Sequence, residues 1–147
     1  MRLTLYTDYA LRVLLYLGLK GESLSTIREI STFHGISHNH LVKVVHQLGA
    51  WGYVRTLRGR GGGIQLARPP AQINVGELVR RTEDDLQLVE CLAACKGSCA
   101  IEANCSLKFI LQEAVTQFLA ILSRYTLADL LNQGPQMPGR IAGLSFS

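Results

Sequence analysis

The sequence predicts a mainly α fold with a small β-hairpin, a winged helix-turn-helix carrying a long C-terminal dimerisation helix. Three observations predict it: two capped helical segments joined by a glycine turn over 25–48, a basic glycine loop between two strand-like runs over 53–67, and an apolar stripe at helical spacing over 106–125. Of the 147 residues, 48% are hydrophobic and 18% charged, which excludes intrinsic disorder. Every apolar run meets a polar or charged residue well before the roughly 18 positions a membrane helix needs. No secretory leader is legible in the opening residues, so a cytoplasmic protein with reduced thiols and no membrane partner is expected.

The elements follow in order. Residues 8–19 read as a largely buried helix capped by Thr7 and ended by Lys20-Gly21. Ser25 is the expected cap of a second helix with Arg28 and Glu29 outward and Ile27, Ile30 and Phe33 inward. Gly35 supplies the positive φ that stops it. Ser37 then caps a third helix through Leu48, whose inner face is Leu41, Val44, Val45 and Leu48. Residues 53–57 and 64–67 form the hairpin, with Arg58-Gly59-Arg60-Gly61-Gly62-Gly63 as its tip, and Pro69-Pro70 closes the unit. A further helix begins near Val75. The long helix from Ser106 to about Tyr125 carries Leu107, Ile110, Leu111, Ala114, Phe118, Ile121 and Leu122 on one face. No small domain follows to cover that stripe, so a second copy of the chain is the expected cover. The organisation is therefore 1–70, a winged helix-turn-helix DNA-binding domain; 71–131, a cysteine-bearing loop and dimerisation helix; and 132–147, a loosely ordered tail.

Charge and motif agree on a polyanion partner. Residues 1–81 carry net +7 and residues 82–147 net −3. In a helix-turn-helix the second helix presents its N-terminal residues to base edges, here Ser37, His38, Asn39 and His40, with Lys43 a turn further on. Asn39 suits bidentate pairing with adenine, and Lys43 suits phosphate or guanine. Arg58 and Arg60 on the glycine loop suit the minor groove, and Arg2 a phosphate. The same loop lacks the Lys-Ser/Thr of a nucleotide-binding P-loop, and no helix follows it. The histidine pair 38 and 40 is spaced so that the two rings do not share a helix face, which favours cap and DNA-contact roles over a second metal site.

All four cysteines, Cys91, Cys95, Cys99 and Cys105, fall within 15 residues. In a reducing compartment such a cluster points to a metal or redox site. Zinc prefers paired ligands two residues apart, and there is no such pair, which disfavours it; an iron–sulfur cluster, zinc, a thiol switch and inert thiols all stay open on spacing alone. No nucleophile triad or carboxylate pair points to an enzyme.

Thr7-Asp8-Tyr9-Ala10-Leu11-Arg12, Gly35-Ile36-Ser37, the run from Val54 to Ile64 and the spaced cysteines before a long helix together resemble the bacterial winged-helix iron–sulfur transcriptional regulators of the NsrR/IscR/RirA family. The resemblance spans about residues 1–131 and is strongest to the nitric-oxide-sensing members. It implies a homodimer on a palindromic operator, with each cysteine loop holding an iron–sulfur cluster, 4Fe–4S favoured over 2Fe–2S. In that family three cysteines bind the cluster and the last two are separated by five residues, which Cys99 and Cys105 match. Cys91 is then the first ligand, and Cys95 is the departure from the pattern. Asp8 matches the aspartate that the partner subunit supplies as fourth ligand in the nitric-oxide sensors. The implied function is a repressor that senses nitric oxide and controls its detoxification genes. The seven residues between Cys91 and Cys99 resemble instead the iron-responsive, RirA-like members, the alternative reading. An iron–sulfur electron-transfer protein is the rival from another class, and the wing and the Ser37-capped helix argue against it.

Overall fold

A computed structural model of the chain describes residues 2–83, 86, 88–89, 92 and 104–132. The described elements are α1 (Leu5–Lys20), α2 (Ile27–His34), α3 (His38–Ala50), β1 (Val54–Leu57), β2 (Gly63–Leu66), a single 3-10 turn at Pro70–Gln72, α4 (Val75–Thr82), α5 (Ser106–Leu122) and α6 (Leu127–Asn132). The two strands pair antiparallel, with Val54 opposite Leu66 and Leu57 opposite Gly63. The winged helix-turn-helix expected from the sequence is thus present. Cys91, Cys95, Cys99 and the tail beyond Asn132 lie outside the described residues.

α1 is the central element: it packs on α2, α3, α4, α6 and β2. Its buried face, Ala10, Val13, Leu14 and Leu17, meets Ile30, the predicted inner face of α3 and Tyr53 in one continuous core. Ile73 and Leu78 from beyond the wing and Leu127 of α6 join the same core, so the described parts of 71–131 share it with the winged helix. Gly18 is the point where α6 approaches α1, since a Cβ there would lie 2.7 Å from Leu131.

Several boundaries differ from expectation. The cap of α1 is Thr4, whose Oγ1 accepts from the Thr7 amide at 3.3 Å; Thr7 lies inside the helix and is buried. Both threonines satisfy the local capping rule, and a tertiary partner, Glu83, decides between them, as described below. The cap of α2 is Thr26, not Ser25: Thr26 and Glu29 form a reciprocal capping box, a spacing present in the sequence. Ser25 is instead buried in a bridge to Ile64, donating its amide at 3.0 Å and accepting at 2.7 Å. Phe33, expected inward, is exposed, stacked edge-on against Tyr16 at 5.1 Å. Ser37 occupies the cap position of α3 without a side-chain capping bond. α5 ends at Leu122, three residues early, and α6 was not expected. Gly35 does end α2 in the left-handed conformation, with φ 63° and ψ 31°.

A winged helix surface and a candidate cluster segment

The candidate recognition surface is built by α3 and the wing. Burying Leu41, Val44, Val45 and Leu48 forces the other face of α3 outward, so His38, Asn39, His40 and Lys43 are all exposed, as are Ser37 and Arg2. Arg58 and Arg60 are exposed at the hairpin tip. The tip holds its shape through glycine. Gly61 has φ 77°, and a Cβ on Gly62 would lie 2.2 Å from the Leu57 carbonyl oxygen. The wing is anchored by the Ser25–Ile64 bridge, and Arg68 fixes it to the end of α3. Its Nε donates to the Gly52 carbonyl at 3.0 Å and its Nη2 to the Trp51 carbonyl at 3.1 Å, with the guanidinium 4.6 Å over the Tyr53 ring. These carbonyls belong to the cap and turn that follow α3, so the guanidinium sits near the negative end of the helix. Arg68 was not foreseen, because nothing local distinguishes it from a solvated arginine.

Of the residues expected at the cluster, two are described. Asp8 lies in the first turn of α1, half-exposed, with its Oδ2 2.9 Å from Arg12 Nε. An exposed pair at this i,i+4 spacing contributes only about 0.3–0.5 kcal/mol, so the carboxylate is cheaply released to another ligand. Cys105 is the N-cap of α5, a free and partly buried thiol whose side chain makes no capping bond. Both groups therefore sit at helix N-termini, where negative charge is favoured. A carboxylate held only by a weak exposed pair and a thiol that makes no capping bond, both at positive helix ends, fit an iron–sulfur cluster chemically, sulfur as the soft donor and oxygen as the hard one. Among the described residues no three His, Cys, Asp or Glu side chains converge on one point, and the remaining cysteines lie outside them.

The structure also brings together residues the sequence reading passed over. Glu83, at the end of α4, is only 8% exposed. Its Oε1 accepts from the Thr4 amide at 2.7 Å, from Thr4 Oγ1 at 3.0 Å and from Thr7 Oγ1. Thr7 Oγ1 lies 2.8 Å from Thr82 Oγ1. A carboxylate at a helix end reads as solvated until a distant segment is folded against it. Thr4, Thr82 and Glu83 also line an open cleft of about 960 Å³ whose other wall is Val42, Lys43, His46 and Gln47 of α3. Tyr9, the neighbour of Asp8, stacks on His40 with centroids 6.2 Å apart and planes at 26°. His34 is packed against Tyr16 and Phe33; burial, then the Arg12 charge, push its pKa below 6.5.

The α5 helix has no buried residue, and Leu107, Phe109, Ile110 and Ile121 are 58%, 64%, 61% and 50% exposed. Among the described residues no helix is long and apolar enough to cross a membrane.

Comparisons with known proteins place this arrangement. The chain is 53% identical over 133 residues to the HTH-type transcriptional regulator NsrR of Bacillus subtilis (strain 168), covering 89% of this chain and 90% of that one. It is 46% identical over 138 residues to the NsrR of Halalkalibacterium halodurans, covering 93% and 94%. Among solved structures, T. potens IscR superposes with a TM-score of 0.74 at 23% identity, over 95% of this chain and 93% of that one, a likeness of fold. The family model described as Rrf2, iron-dependent transcriptional regulator, matches residues 3–133. The chain belongs to the Rrf2 family of transcriptional regulators.

Proposed function

We propose that this regulator is a homodimeric repressor that senses nitric oxide through an iron–sulfur cluster and controls nitric-oxide detoxification genes. The observation that carries the reading is the 53% identity, over nine-tenths of both chains, to a relative named NsrR. Cys91, Cys99 and Cys105 hold the cluster, 4Fe–4S in type, and Asp8 of the partner subunit completes it. When bound, the cluster supplies an iron that reacts with nitric oxide, and the oxygen-ligated iron is the labile one because a hard donor suits a soft site poorly. Cys95 is not a ligand.

The protein's own residues do the rest. The exposed stripe of α5 pairs two protomers; three large apolar side chains of that stripe, Leu107, Ile110 and Ile121, at least half exposed, support that reading. Pairing fixes the separation of the two α3 helices, which lie in successive major grooves of a palindromic operator. Ser37, His38, Asn39 and His40 face the bases and Lys43 and Arg2 the phosphates, while Arg58 and Arg60 reach into the minor groove. Because half-site spacing is set by DNA geometry, a small displacement of α1 and α3 on cluster loss is enough to release the operator. The protein works in the cytoplasm as a regulator rather than an enzyme, a reading supported by relatives named transcriptional regulators.

The test is anaerobic: the visible spectrum of the purified dimer is followed during nitric oxide titration, in parallel with binding to the promoter of its own gene. Bleaching in step with operator release is expected. A coloured protein indifferent to nitric oxide, but releasing DNA on iron chelation, would replace this reading with the iron-responsive one that the Cys91–Cys99 spacing favours. A colourless protein binding DNA alike with or without iron would overturn both.

A further inference from the structure

The cleft beside α3 opens on the outward face of that helix. Leu41, Val44, Val45 and Leu48 take the opposite face into the core, which leaves Lys43 and His46 exposed, one turn apart, on the cleft wall. Trp51, which ends α3, lines the same cleft, and Arg81 of α4 lines it from the side where α4 meets α1. Arg81 is held in place. Its Nη2 lies 3.0 Å from Glu77 Oε1, one turn back, and the guanidinium carbon lies 5.8 Å from the centre of the Tyr53 ring. A guanidinium has five N–H donors, so holding Glu77 does not exhaust it, and its side chain is 44% exposed. The one carboxylate lining the cleft, Glu83, is enclosed and accepts from Thr4 and Thr7. The charge that the cleft presents outward is therefore positive.

We propose that one strand of the operator's phosphate backbone lies in this cleft, gripped by Arg81 from α4 and by Lys43 and His46 from α3. The proposal rests on the operator-binding reading and adds a contact outside both the helix-turn-helix and the wing. With α3 in the major groove, its outward face looks onto DNA, and the groove is bordered on each side by a phosphate strand. A wall standing beside that face meets one of those strands. A backbone with one negative charge per roughly 3.4 Å suits a trough with cations on both sides, and the Trp51 ring offers a flat surface to the sugars. An open trough suits a strand passing through it better than a small molecule, which needs walls on most sides. Arginine fixed by a neighbouring carboxylate also meets phosphate at lower entropic cost than a freely moving side chain. Arg81 thus extends the footprint without reading sequence.

The experiment uses the full-length, cluster-loaded dimer and a set of operators from the promoter of its own gene, each with one neutral methylphosphonate in place of a phosphate. At one or two linkages bordering the major groove, the neutral group is expected to cost wild type about five- to tenfold in affinity and to cost Arg81→Gln nothing. Arg81→Gln should also lower the log–log salt slope by about 0.9 for each half-site, alike on operator and random DNA. His46→Glu, at an exposed position that leaves the fold intact, places a carboxylate on the facing wall. It should bind the ordinary operator at least about tenfold more weakly, with methylphosphonate at the same linkages restoring part of the loss. Wild type that binds the operator no more tightly than random DNA overturns the operator reading, and this contact with it. Specific binding with no linkage at which wild type and Arg81→Gln differ, and none that rescues His46→Glu, overturns the contact alone. An Arg81→Gln protein weakened alike on every operator of the set also overturns it, since the arginine then only supports the fold.

Discussion

The substitution Ile110→Asp tests the proposed dimer, on which the proposed operator binding rests. Ile110 is 61% exposed in the single chain and lies on the outward stripe of α5 with Leu107 and Ile121. Full burial of such a side chain is worth about 1.5–3 kcal/mol, so covering its exposed part contributes about 1–2 kcal/mol per copy. Symmetry doubles this to about 2–4 kcal/mol per dimer, a factor of roughly 30 to 900 in the dissociation constant, before any penalty for burying two carboxylates. The protomer itself is barely touched: the side chain leaves no core cavity, and aspartate costs about 0.7 kcal/mol at most in helix propensity. Sedimentation equilibrium across a concentration series measures the dissociation constant, and thermal unfolding of the monomeric fraction checks the fold. The expected result is a folded monomer at concentrations where wild type is dimeric, with operator affinity lost in parallel. An Ile110→Asp protein that dimerises as tightly as wild type would refute the argument that this stripe is the interface.

Other perturbations have equally definite outcomes. In Gly62→Ala the new Cβ meets the Leu57 carbonyl oxygen at 2.2 Å, and a backbone atom cannot yield as a flexible side chain would. The hairpin tip must open, costing about 1–3 kcal/mol in denaturant unfolding and weakening operator binding through displaced Arg58 and Arg60. Lys43→Ala should lower the log–log salt slope of operator binding by about 0.9, with similar losses on specific and random DNA if Lys43 faces phosphate. His34 has its pKa held below 6.5 by burial. The unfolded chain therefore takes up the proton first as pH falls, so stability declines from pH 6.5 downward until the folded histidine titrates in turn. Urea midpoints for His34→Gln are expected to be flatter than wild type across that window, and an unchanged slope would remove His34 as the cause.

The folding units were largely legible in the amino-acid sequence because their signals are local. Leu41, Val44, Val45 and Leu48 recur at helical spacing, and the structure buries all four. Gly35 marks the end of α2 and adopts the left-handed conformation that only a residue without a Cβ adopts freely. The basic glycine tip between two short β runs gave the wing for the same reason. These readings need no knowledge of what lies elsewhere in the chain.

Where several residues satisfy the same local rule, the tertiary structure chose between them. Thr4 and Thr7 are both fit to cap α1. Glu83, 79 residues from Thr4, decides the matter by accepting from the Thr4 amide and from both hydroxyls, which draws Thr7 into the helix and out of solvent. Ser25 and Thr26 are both fit to cap α2, and pairing with Ile64 consumes the backbone of Ser25. Phe33 lies outside although its helical phase points inward, since Ile30 already fills the core at that level and the ring finds Tyr16 instead. The chemistry of the candidate site follows the same division. The residue types suited to iron, to phosphate and to base edges can be read along the chain because charge and thiol chemistry belong to each side chain. That Thr7, Asp8 and Tyr9 face Glu83, solvent and His40 respectively follows only from packing α4 and α3 against α1, a matter of which distant surfaces exclude water together.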